Sequence, residues 1–221
     1  MHFRPAPTRA TLPGMPGTPT EPLRIVGAAI VVEGGLIVAA LVGAWLLQVR
    51  LLATLQPSLA ALGAGAAATV PLLVGLGWSV RTRFGAVARL KREVEEKVFP
   101  LFVGCSVLHV AAIALLAGIG EELLFRGLIQ TATARWVGPW GGLLLASAAF
   151  GLAHPITPLY ALLAGLIGLY LGGLFLATAN LVVPVTAHTL YDFVALTYLV
   201  SQSRAEGRRR PPAAGDQGPG V

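Results

Sequence analysis

The chain has 221 residues, of which 55% are hydrophobic and 12% charged, with a formal net charge of +6. So much apolar surface exceeds what a soluble domain of this length needs, which excludes the soluble globular class and indicates an integral membrane protein. The single cysteine, Cys105, excludes an internal disulfide and reads as a small buried apolar residue.

Residues 1–23 are proline-rich and lack an apolar core, so they read as a disordered basic tail and not as a signal peptide. A helix needs about 20 apolar residues to cross the hydrocarbon core. The first span meets this at Ile25 to Leu47 and carries one acid, Glu33, which has no partner motif and reads as facing the bundle interior or an interface without catalytic work. A second span covers Leu59 to Val80. The segment from Arg81 to Pro100 mixes both signs of charge with helix formers, the pattern of a surface helix at the membrane interface. A third span starts at Leu101 and continues to Thr133; the others cover Gly141 to His154, Leu159 to Thr178 and Pro184 to Val200. From Trp136 to Tyr191 there is no Asp, Glu, Lys or Arg. The expected fold is therefore all-α, a multi-span transmembrane bundle of about six spans. It forms one domain over residues 24–200, with a catalytic-type core at 101–200 and a disordered basic tail at 201–221.

Basic residues cluster in the amino tail, between Arg81 and Lys97, and in the carboxyl tail, while the opposite side keeps Arg50 and Arg135. Six spans put all three basic segments on one side, which the positive-inside rule makes cytoplasmic. The protein is thus expected in the cell membrane as a multi-pass protein with both termini inside. The net charge reads as topology and contact with anionic lipid; no interleaved basic and aromatic patch suggests nucleic acid.

Against this background, GIGEELLFRG (Gly118 to Gly127) is anomalous, because an ionisable group near the bilayer centre costs at least ~2.5 kcal/mol. Glu122 and Arg126 are four apart and can pair on one helix face. Glu121 is left over, a carboxylate available as a general base or as a metal ligand. In FGLAH, Phe150 and His154 are four apart; in HTLYD, His188 and Asp192 are four apart. A turn near Gly138 lies about midway between Glu121 and His154, so antiparallel helices bring them to similar depth. His188 is much closer to its own turn near Leu181, which requires a tilted helix or a recessed turn. His109 reads as a packing residue.

The three motifs, Glu121-Glu122-x-x-x-Arg126, Phe150-x-x-x-His154 and His188-x-x-x-Asp192, resemble in order and spacing those of the CPBP family of intramembrane proteases. That family groups CAAX prenyl endopeptidases with bacterial proteins of bacteriocin processing and immunity, the Abi type. The resemblance covers residues 101–200. It implies an intramembrane endopeptidase acting on a membrane-associated protein or peptide, with Glu121 and His154 activating a water. It further implies that His188 and the residue at Asp192 stabilise the oxyanion, and that Glu122 with Arg126 hold the helix.

A Zn2+ ion on candidates Glu121, His154, His188 and Asp192 is compatible with the same groups, as is direct activation of water. No HExxH motif is present. Asp192 stands where asparagine could donate to the oxyanion; an ionised aspartate only accepts, so it must be protonated, orient His188 or bind metal. Two other classes would use the same polar cluster: a non-proteolytic binding or immunity protein gripping a peptide or partner helix, and a small transporter or proton relay. The latter favours polar groups spread along a path, whereas these fall in three short motifs.

Overall fold

The computed structural model describes residues 21–209 except Val103. Of the tails expected at 1–23 and 201–221, residues 1–20 and 210–221 lie outside the described residues, while 21–23 and 201–209 are not irregular but belong to the first and last helices. The described chain is helical and has no strand among the described residues. In order come α1 (Glu21–Leu46), a 3-10 turn (Leu51–Thr54), α2 (Leu59–Arg81), α3 (Gly85–Lys97) and a second 3-10 turn (Phe99–Phe102). There follow α4 (Val107–Glu122), a π-helical segment (Leu123–Gln130), α5 (Thr131–Leu152), α6 (Pro158–Thr178) and α7 (Val182–Arg209). The last helix extends past the expected boundary at Val200.

Five stretches among the described residues are long and apolar enough to cross a membrane, and one of them, Val107–Leu152, is 46 residues long. Drawn straight at about 1.5 Å per residue it would be roughly 69 Å, more than twice the hydrocarbon core. It reverses instead. Gly138 takes φ 75°, a left-handed value suited to glycine, and Pro139 follows without an N–H to continue the ladder. The Phe125 and Phe150 rings, on opposite sides of this turn, meet edge to face at 5.1 Å between centroids. Val107–Leu152 therefore makes two passes, which yields the six expected from the sequence. The exposed Trp136 and Trp140 flank the turn, and Arg135 caps the nearby end of α1 by donating to the Leu47 and Gln48 carbonyls at 2.6 and 2.8 Å. Exposed Trp45 lies at that same end of α1, so three indoles mark one membrane interface.

Helices approach closely where glycines remove side chains. A Cβ at Gly65 of α2 would come 2.7 Å from the Val183 carbonyl of α7, and one at Gly118 of α4 would collide with Thr189 of α7. α7 is thus held between α2 and α4. The α6–α7 turn is recessed, as the position of His188 required. Leu181 is fully buried and donates its N–H to the Thr54 carbonyl at 2.8 Å. Asn180 accepts from the Gln56 N–H at 3.1 Å and donates to the Gln56 carbonyl at 2.8 Å. The chain between α1 and α2 covers this turn from outside and lets it sit deep in the bundle. His109 belongs to a capping box at the start of α4: its N–H donates to Ser106 Oγ and its Nδ1 accepts from the Ser106 N–H, both at 3.3 Å.

Candidate active site

The end of α4 and the π segment carry Glu121, Glu122 and Arg126 toward the bundle interior. A π turn inserts extra backbone into a helix and often accompanies functional side chains. Here it runs over Leu123–Gln130 and keeps Glu122, Arg126 and Gln130 buried on one flank. Arg126 donates through Nη1 to Glu122 Oε1 at 2.7 Å and through Nη2 to the Gly168 carbonyl of α6 at 3.1 Å. Its guanidinium carbon stands 4.4 Å from the Phe150 ring centre, a cation–π contact. One turn on, Gln130 Nε2 repeats the pattern by donating to the Gly172 carbonyl at 3.1 Å. The glycines of α6 allow this approach; a Cβ at Gly172 would lie 2.6 Å from Gln130 Oε1.

His154 follows α5 directly. Its Nδ1 is 2.8 Å from the Phe150 carbonyl, which only accepts, so Nδ1 carries the proton and donates. In the neutral ring Nε2 then holds the lone pair, and it faces Glu121 Oε1 at 3.8 Å. Phe150 supports the ring from below at 4.6 Å between centroids. His188 comes from α7. Its Nδ1 lies 2.8 Å from Glu122 Oε1, and its Nε2 lies 3.8 Å from Glu121 Oε2 and 3.4 Å from Asp192 Oδ2. Each nitrogen of His188 thus has a carboxylate oxygen to donate to. Glu122 Oε1 accepts from both Arg126 and His188, which ties α4 to α7 as well as to α6.

All the residues singled out in the sequence, Glu121, Glu122, Arg126, His154, His188 and Asp192, meet at this one place. His154 and Asp192 are partly exposed, with about a quarter of each side chain accessible, while Glu122 and Arg126 are enclosed. The site is closed beneath and open above. Each imidazole faces a different oxygen of Glu121, and among the described residues no three His, Cys, Asp or Glu side chains converge as metal ligands do.

Three neighbours carried no motif. Gln130 repeats the tie of Arg126 one turn further on. Tyr160, the third residue of α6, has its ring 6.3 Å from that of His154. Glu33 of α1, expected to do no catalytic work, packs over Gly120 beside Glu121. A lone acid in an otherwise uncharged span was the available signal for Glu33. For Gln130 it was the four-residue spacing from Arg126.

Residues 104–194 match the family model described as type II CAAX prenyl endopeptidase Rce1-like. Among curated proteins, the uncharacterized protein YpbD of Bacillus subtilis (strain 168) is 34% identical over 94 residues. That alignment covers 42% of this chain and 47% of YpbD, so the chain spans about half the length of the curated relative it matches. No solved structure matches the chain. The matched segment contains all three motifs, Glu121-Glu122-x-x-x-Arg126, Phe150-x-x-x-His154 and His188-x-x-x-Asp192, so over residues 104–194 the chain is similar to the Rce1-like type II CAAX prenyl endopeptidases.

Proposed function

We propose that the chain is an intramembrane endopeptidase that hydrolyses a peptide bond of a membrane-associated protein or peptide with a water activated by Glu121 and His154. The observation that carries this reading is the 3.8 Å separation of His154 Nε2 from Glu121 Oε1, with Nδ1 of the ring already committed to the Phe150 carbonyl. A lone pair and a carboxylate oxygen at that separation can accept both hydrogens of one water between them. Glu121 takes a proton as the water oxygen bonds to the scissile carbonyl carbon. The carbonyl oxygen gains the electron pair and is received by the Nε2–H of His188. As the C–N bond breaks, the proton held by Glu121 passes to the leaving nitrogen. Glu122, fixed by Arg126, holds the other nitrogen of His188 and sets the ring's direction.

No step is routed through a metal; if a Zn2+ ion were bound, Glu121, His154, His188 and Asp192 are the residues that would hold it, and it would supply an activated water. Lys97 Nζ at the end of α3 donates to the Ile156 carbonyl at 3.4 Å, in the loop that begins at His154. The open face of the site therefore lies on the α3 side, and the excess of positive charge on that side supports an opening toward the cytoplasm.

The test is reconstitution of the full chain in liposomes with a library of membrane-embedded peptides, comparing the parent with Glu121→Gln, with and without chelator. Cleavage by the parent alone, insensitive to chelator, supports the reading. Peptide binding without cleavage by the parent would replace it with the non-proteolytic binding function.

A further inference from the structure

Glu33 lies in the middle of α1, outside residues 104–194, and no motif accounts for it. It covers Gly120: a Cβ added there would meet the Glu33 carbonyl at 2.9 Å, Oε2 at 3.0 Å and Cβ at 3.4 Å. Glu121 follows directly in the chain, and Glu33 stands within electrostatic reach of Glu121, His188 and Asp192. Oε2 of Glu33 and Oε2 of Glu121 are both buried without a hydrogen-bond partner. A polar oxygen left bare inside an apolar span is costly, and an aliphatic side chain would relieve that cost. Two acceptors on two helices in contact call for a donor between them. One water supplies two O–H groups.

We propose that Glu33 is a positioning residue of the site, sharing one water with the inner oxygen of Glu121. The shared water fixes the Glu121 rotamer and leaves Oε1, the oxygen that faces His154, for the attacking water. The effect on rate rests on the protease reading; the coupling of Glu33 to Glu121 does not.

The experiment uses the full chain in lipid with Glu33→Gln, Glu33→Leu, Glu121→Gln and the Glu33→Gln/Glu121→Gln double variant. On a cleaved peptide, Glu33→Leu should lower kcat about tenfold with KM changed by less than about twofold, while its unfolding midpoint stays level or rises. Glu33→Gln should restore part of kcat, since an amide still hydrogen-bonds a water. A merely structural Glu33 would not move kcat apart from stability. Independently of activity, the midpoint shifts of Glu33→Gln and Glu121→Gln should fail to add in the double variant. Additive shifts would overturn the proposal, as would parental kcat in Glu33→Leu. A parent that cleaves nothing would sink the protease reading and leave the stability cycle to decide on Glu33. If Glu33→Leu does not fold, Glu33→Gln carries both measurements: parental kcat with additive shifts overturns the proposal, and reduced kcat at parental stability sustains it.

Discussion

On the α6-facing flank of the π segment, Arg126 and Gln130 each tie a side chain to a glycine carbonyl, and Glu122 Oε1 takes two charge-assisted bonds. On the flank facing α1 and the open side, Glu121 makes no hydrogen bond among the described residues, and the two imidazoles stand 3.8 Å from its oxygens. Adjacent glutamates thus differ at one oxygen: Glu122 Oε1 has two fixed donors, whereas Oε2 of either residue has none among the described residues. On the proposed reading, the difference separates a structural charge, already held by fixed partners, from a chemical one that forms its best bonds with water and substrate. A site that satisfied both carboxylates equally well would be more stable and have nothing left to activate a nucleophile.

Breaking the open flank should produce the largest effect. Glu121→Gln keeps the shape but cannot take a proton, so cleavage should fall by at least ~10²-fold, the usual scale for a lost general base, with no loss of thermal stability. Retained activity in the purified variant would remove Glu121 from the mechanism.

The closed flank should respond through stability. Arg126→Ala strands Glu122 among α4, α6 and α7 and should cost roughly 3–5 kcal/mol, as for other broken buried pairs, read from unfolding of the reconstituted protein. Arg126→Lys should fall between the two, since an ammonium lacks the planar fork that reaches both Glu122 and Gly168. Parental stability in Arg126→Ala would show that the comparison of the two flanks is wrong.

A smaller effect concerns how His188 reaches its depth. Asn180 makes two bonds to Gln56 and accepts from the Val182 N–H at 3.0 Å, so Asn180→Ala should cost roughly 1–3 kcal/mol and loosen the recessed turn. Activity should fall more steeply than stability alone dictates, because His188 depends on that turn for its register with Glu122. A variant that loses stability but keeps its kcat would mean that α7 is positioned by Gly65 and Gly118 without help from the turn.

The parts legible in the sequence were those set by local spacing. Glu122 and Arg126, Phe150 and His154, and His188 and Asp192 sit four apart, and one helical face places each pair whatever the surroundings. The reversal at Gly138 was legible because glycine followed by proline ends a helix by backbone chemistry alone. What could not be read was decided between distant segments. The π segment gives up regular α-helical bonds, and its compensation lies in Arg126 and Gln130 reaching carbonyls some forty residues on. The recess at Leu181 depends on Thr54 and Gln56, and the place of Glu33 on Gly120 of another helix. None of these contacts leaves a periodic trace in its own segment.

The smallest expected change falls on the rim, at Asp192, and it sharpens the comparison by asking whether the open flank needs another negative charge. Asp192 Oδ2 is 3.4 Å from His188 Nε2, on the side from which a substrate carbonyl would approach. An ionised carboxylate there holds the imidazole in line, yet it opposes the charge that develops on the carbonyl oxygen. Asp192→Asn keeps an acceptor for His188 and adds an N–H donor, so activity should stay level or rise a few-fold and remain insensitive to chelator. Asp192→Ala removes the orienting acceptor without adding a donor and should be the poorer of the two. If Asp192 instead served a metal, the neutral amide would bind it more weakly by ~10- to 100-fold, and added zinc would restore a dead Asn form. Cleavage rates of the parent, Asn and Ala forms, each with and without chelator and with added zinc, separate the two chemistries: a water held by Glu121 and His154 requires the active, chelator-insensitive Asn form.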